Sequence, residues 1–145
     1  SRKIIGRVGN FMKKKEWLLR AKNISRIIEK KEKRLESIRS KLGDSAKALD
    51  GLGSSSTPHS PFEADLLFAI DLEKEIQNLN AQLQQARTDI WYAIKGVSNP
   101  NVEEVLIYRY LDYKEWVDIS RCMDFSLDYV YRLHRCGLDS LKIGN

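Results

Sequence analysis

Five side chains near the C-terminus share one side of a short helical pattern and carry the donors and acceptors that recognise polar edges: Asp128, Tyr129, Tyr131, Arg132 and Arg135. The fixed N–H fork of arginine fits guanine edges or phosphate oxygens, while tyrosine and aspartate add a hydroxyl and a carboxylate. Val130, Leu133, Gly137 and Leu141 fall on the opposite stripe, so the spacing predicts an amphipathic helix running to Leu141. Ser126 is a natural N-cap for it. Asp128 and Tyr129, near its start, are candidates for base-edge contacts, and Arg132 and Arg135 for bases or phosphates; Ser126 and Tyr131 complete the candidate DNA-binding residues of this helix.

Two earlier elements must hold that helix in place. One opens at Asn99-Pro100, an N-cap residue followed by the proline that suits the first helical position. Val102, Leu106 and Tyr110 then fall on one face. The next runs from about Lys114 to Cys122, with Trp116, Ile119 and Cys122 or Met123 directed inward. Lys114, at its start, is placed for a phosphate backbone. A tight break follows at Asp124-Phe125. Three helices so spaced form a helix-turn-helix pattern, whose last helix enters a DNA major groove by its N-terminal half. On spacing alone the alternative is a small helical domain that binds no nucleic acid.

The preceding residues have another signature. Trp17, Ala21, Ile24, Ile28, Lys31, Leu35, Ile38 and Leu42 recur at alternating steps of four and three, as do apolar residues from Phe62, Leu66, Ala69, Leu72 and Ile76 to Val97. Such spacing over four or five heptads predicts coiled-coil helices, and Lys31 is the kind of seam interruption that fixes register or partner number. Gly43 to Pro61, with the run Gly51-Leu52-Gly53-Ser54-Ser55-Ser56-Thr57-Pro58, reads as a flexible loop, and His59 as a solvated residue within it. The fold class expected is all-α: a long antiparallel coiled-coil hairpin over 12–98, then a three-helix helix-turn-helix domain over 99–145. Residues 1–11 precede Met12-Lys13-Lys14-Lys15, which reads as a natural start, and are taken as a non-native or disordered extension. One hairpin leaves Leu18, Ile27, Leu67 and Ile70 on its flanks, so a homodimer through the hairpin is expected.

Composition narrows the function classes. The 145 residues are 42% hydrophobic and 9% aromatic, enough for a packed core, with no apolar run of membrane-spanning length. No signal-peptide pattern follows the basic N-terminus. Cys122 and Cys136 are the only cysteines; without a secretory context they suggest a reduced, cytoplasmic protein. With His134 they lack zinc-site spacing, and they read as small buried hydrophobes. The net charge of +5 divides into +3 over residues 1–11, +7 over 12–50, −3 over 51–100 and −2 over 101–145. The segment with the helix-turn-helix spacing is thus slightly acidic. Phosphate neutralisation then falls to the basic N-terminal helix, a dimer or a second protein. No phosphate-binding glycine loop, metal cluster or nucleophile motif occurs, which argues against an enzyme and against cofactors.

The runs Arg109-Tyr110-Leu111, Lys114-Glu115-Trp116-Val117-Asp118-Ile119-Ser120, Phe125-Ser126 and Val130-Tyr131-Arg132-Leu133-His134, with Leu138, resemble the C-terminal domain of the RinA-like and ArpU-like late transcriptional regulators of Gram-positive phages and prophages. That domain is similar to region four of bacterial sigma factors. The resemblance extends to the preceding hairpin and its Gly/Ser loop. It implies Trp116 and Ile119 in the core of the supporting helix, Ser126 as cap of the recognition helix, and Tyr131, Arg132 and His134 in that helix's middle. Two residues depart from the pattern: Asp124 stands where glycine is usual in the turn, and Gly137 replaces an alanine, which weakens a helix by up to about 1 kcal/mol. The function implied is sequence-specific binding of double-stranded DNA to regulate late transcription, with host RNA polymerase as a possible partner and no membrane. The alternatives are a packaging protein resembling the small terminase subunit, or an interaction protein that binds polymerase alone.

Overall fold

The computed structural model describes the backbone of residues 2–49 and 60–143, and side chains over 9–47 and 60–143. It is all-α: α1 (Arg2–Leu49), α2 (Pro61–Lys95), α3 (Pro100–Tyr110), α4 (Trp116–Met123) and α5 (Leu127–Ser140), with no strand among the described residues. None of these helices is long and apolar enough to cross a membrane.

The long helices outrun their sequence signals. Residues 2–11, read as a non-native or disordered extension, belong to α1, and the expected loop 43–61 is helical as far as Leu49. Gly43 lowers helix propensity locally, but Ser45-Ala46-Lys47-Ala48-Leu49 is free of proline and restores it. Residues 50–59, His59 included, lie outside the described residues. Pro61 opens α2 behind Ser60, whose Oγ accepts from the Glu63 N–H at 3.2 Å.

The chain divides into two compact units, one holding residues up to Asn23 and from Leu83 onward, the other Ile24–Gln82. The start of α1 and the end of α2 group with α3, α4 and α5.

In the Ile24–Gln82 unit, α1 and α2 run antiparallel. Lys31 meets Glu75 at 2.8 Å, while Arg39, two turns further along α1, meets Glu73, earlier in α2. Ile28 and Leu35 are buried with Ala69, Leu72 and Ile76. Lys31, the charged residue in the seam, lifts its ammonium to Glu75 at the margin. Such half-exposed pairs contribute about 0–1 kcal/mol each and act chiefly on register. Leu66, counted in the seam, is exposed instead.

In the other unit, Leu18, expected on an open flank, is fully buried with Ala21, Ile90 and Ile94. It lies one turn beyond Lys14, whose Nζ donates to the Leu138 carbonyl at 2.6 Å and that of Asp139 at 3.4 Å, so α1 passes the end of α5 there. The cation satisfies carbonyls that lack helical partners and complements the dipole at that end. Asn99 caps α3, its Oδ1 accepting from the N–H groups of Asn101 and Val102 at 2.9 and 3.3 Å. Val102, Leu106 and Tyr110 are buried as their spacing predicts, against the Val130, Leu133, Gly137 and Leu138 stripe of α5.

His134 lies in the middle of α5. It is buried, and its Nε2 shares a 2.6 Å hydrogen bond with the Tyr110 hydroxyl. Burial first, then the positive charges of Lys15 and Arg109, lowers its pKa to about 4; burial pushes the Tyr110 phenol up to about 12. Both groups are therefore neutral at pH 7. The unfolded chain takes up a proton on this histidine near pH 6.5, the folded chain only near 4. Stability from the neutral ring is therefore complete above about pH 6.5 and lost as pH falls towards 4, by at most about 3 kcal/mol. Urea midpoints measured between pH 7 and 4.5 should fall more steeply for the natural chain than for His134→Gln; equal slopes would show that His134 is not held neutral.

Gly137 has a packing reason. A Cβ there would stand 3.0 Å from Val102 Cγ1 and 3.0 and 3.1 Å from the two Leu106 methyls. The helix-propensity gain of Gly137→Ala, about 1 kcal/mol, is opposed by overpacking of about 1–3 kcal/mol. Both neighbours are buried, so the variant should melt lower than the natural chain. A higher melting temperature would mean that α3 and α5 separate freely.

Candidate nucleic-acid interface

The chain reversal between α4 and α5 is short and closed by local bonds. Ile119 is fully buried and anchors α4. The helix stops at Asp124, whose left-handed backbone (φ 55°, ψ 42°) suits aspartate better than most residues. The Asp124 N–H donates to the Arg121 carbonyl at 3.3 Å and the Phe125 N–H to that of Ser120 at 3.1 Å, while the Ser120 hydroxyl donates to the Phe125 carbonyl. Ser126 is extended and caps α5: its Oγ accepts from the Tyr129 N–H at 3.2 Å. Its hydroxyl is thereby committed to the helix end.

Beyond the cap, Asp128, Tyr129, Tyr131, Arg132 and Arg135 are all exposed, so the structure brings together the five residues that spacing placed on one side of α5. Arg132 and Arg135 make no ion pair among the described residues. The tyrosines are held from beneath. Tyr129 packs edge-on against Phe125 at 4.9 Å, and Tyr131, 37% exposed, against Trp116 at 5.4 Å. Asp128, in the first turn, complements the helix dipole. The central stripe is Asp128, Arg132, Arg135 and Asp139, two cations between two anions.

Lys114 stands apart. Because α4 starts at Trp116, Lys114 lies in the connection before it, half-buried, its Nζ 5.7 Å from the centre of the Tyr108 ring. Its N–H donates to the Tyr108 carbonyl at 2.9 Å, and its carbonyl accepts from Arg109 at 3.0 Å. The same Arg109 guanidinium lies over the Trp116 ring at 4.5 Å and reaches Glu115 at 3.7 Å. Trp116 is half-buried rather than central. It sits edge-on to His134 at 4.6 Å and to Tyr131, so a chain of aromatic contacts links the buried Tyr110 to the outer face of α5.

Three supporting residues escaped the sequence reading. Arg87 of α2 donates to the Leu111 carbonyl at 2.8 Å and the Tyr113 hydroxyl at 2.9 Å. This ties down a connection in which Tyr113 has a positive φ of 59°. Arg109 and Lys14 are the others. Arg109 and Lys14 stand in runs quoted above, but no supporting role was assigned to them, since each of the three acts on a carbonyl that becomes a neighbour only in the folded chain. His134 belongs to the aromatic support and not to the outer face. Cys122 and Cys136 are exposed, contrary to their reading as core residues: Ile119 and Leu133 take the inward positions, and Cys136 continues the open stripe one turn past Arg132. The described residues contain no group of three or more His, Cys, Asp or Glu that could hold a metal. No protein-family model, curated protein or solved structure matches this chain.

Proposed function

We propose that this chain is a phage-encoded, sequence-specific DNA-binding regulator of transcription, working in the bacterial cytoplasm. In this reading α4, the reversal at Asp124–Ser126 and α5 act as a helix-turn-helix, and α5 lies in the major groove. One observation carries it: two unpaired, exposed arginines, Arg132 and Arg135, stand one turn apart on a helix whose start is fixed by a left-handed aspartate and a serine cap. Arginines so placed suit bidentate contacts to guanine, with Asp128, Tyr129 and Tyr131 beside them for further polar contacts. The transcriptional part comes from the resemblance of residues 109–138 to sigma-region-four-like domains.

A second reading is favoured by charge. Asp128 and Asp139 flank the two arginines, so the stripe offers little general attraction for a polyanion. A balanced polar face of this kind also fits a protein surface, RNA polymerase being the partner that the resemblance suggests.

Duplexes selected from a random-sequence library separate the two. In fluorescence anisotropy at two salt concentrations, Arg132→Ala and Arg135→Ala should each weaken binding to the selected duplex by about 1–3 kcal/mol and relax its preference. Their circular dichroism should be unchanged, because both side chains face solvent. Equal affinities for all three proteins, or no enriched duplex, would reject DNA reading by α5 and leave the polymerase-binding role.

A further inference from the structure

The two arms of the Ile24–Gln82 unit carry opposite charge. Residues 24–47 of α1 hold eight Lys or Arg against four acids, and residues 61–82 of α2 hold five acids against Lys74 alone. The hairpin uses few of these internally: among the described residues the pairs between its arms are Lys31 with Glu75 and Arg39 with Glu73. Arg26, Lys30 and Arg34, spaced by four along α1, stay exposed without an ion pair, as does Asp71 of α2.

The apolar residues are equally unsatisfied. At the start of α2 the run Leu66-Leu67-Phe68-Ala69-Ile70 is apolar all round the helix, yet only Ala69 is buried. Leu67 and Phe68 are 60% and 57% exposed. Leu66 and Ile70 are open one turn apart, with Phe68 about 200° round the helix from Leu66. A helix apolar on every side needs more than one neighbour, and α1 supplies one. On α1, Ile27 is exposed next to the cationic stripe.

We infer that this unit binds a second copy of the chain, with the acidic α2 of one copy against the basic α1 of the other, making four helices from two hairpins. Only a partner helix with cationic residues flanking an apolar stripe matches both unsatisfied features of α2. The chain's own α1 offers Arg26, Lys30 and Arg34 with the exposed Ile27 beside them, and a two-fold arrangement brings each α2 against such a face. The inference does not depend on DNA binding.

Sedimentation velocity of the full chain at micromolar concentration should give a dimer that weakens as salt is raised. Leu67→Gln with Phe68→Gln, or Leu66→Gln with Ile70→Gln, should shift at least one of the two proteins towards monomer, by about tenfold or more in Kd, with helicity retained. Charge reversal tests the pairing. One chain carries Arg26→Glu, Lys30→Glu and Arg34→Glu, the other Asp65→Lys and Asp71→Lys; the hairpin's internal pairs are left in place. Each chain alone should dissociate, and an equimolar mixture should recover the dimer. A natural chain that stays monomeric, an oligomer indifferent to both apolar pairs, or reversed chains that fail to prefer each other would overturn the proposal. A monomer would assign the apolar collar to a different protein.

Discussion

The close approach of α5 to α3 at Gly137 decides which side of α5 faces outward. With no Cβ at 137, Val102 and Leu106 can lie where a methyl group would press on them, and the two helices meet along Val130, Leu133, Gly137 and Leu138. Successive residues of a helix are about 100° apart. A turn of α5 by one residue would therefore bring polar side chains into the contact and release apolar ones. The Tyr110–His134 bond adds a directional lock to this non-directional packing, since its 2.6 Å geometry exists in one rotation only. Arg132 and Arg135 owe their exposure to a glycine and a histidine on the opposite side of their own helix.

The support beneath that outer face is mostly cation to carbonyl or cation to ring. Arg87 holds the connection after α3, Arg109 covers Trp116, and Lys14 closes the end of α5. Three of the chain's basic groups are thereby committed to internal positions, so the net charge of +5 overstates the positive surface. The cations that remain without an ion pair include the Arg26, Lys30 and Arg34 stripe, in the other unit. The cationic stripe of α1 and the exposed arginines of α5 thus belong to different compact units of this chain.

Local chemistry was legible in the sequence, and tertiary neighbours were not. Asn99-Pro100, Asp124 and Ser126 announce helix ends because each acts on backbone groups within three residues of itself, and all three act as read. The five outward residues of α5 could be read because they fill the arc left by its apolar stripe. Cys122, Cys136 and Leu18 were placed on the wrong side, for one shared reason. Residue type gives an average tendency to be buried, whereas the burial of each depends on which arc another helix covers. The Gly137 departure was read as a loss of helix propensity alone, because the Val102 and Leu106 side chains that need the space lie more than thirty residues away. Residues 43–49 were assigned to a loop because glycine, aspartate and serine run on there towards the Gly/Ser segment, although helix formers still prevail as far as Leu49.

The two proposals meet in an energetic constraint. A stripe with two arginines between two aspartates gains little from general phosphate attraction, so on the DNA-binding proposal one copy of α5 would rely on a few base contacts, each worth about 1–3 kcal/mol. Two copies held together present two such helices, and the second then binds at a high effective concentration rather than from free solution. On these proposals, dimerisation through helices outside the α3–α5 cluster would raise affinity without adding charge to α5, so discrimination between sequences would survive the gain. A more basic α5 would reach the same affinity alone, but on every sequence alike. On the two proposals together, the acidic bias of residues 101–145 is compatible with selective DNA reading by a dimer.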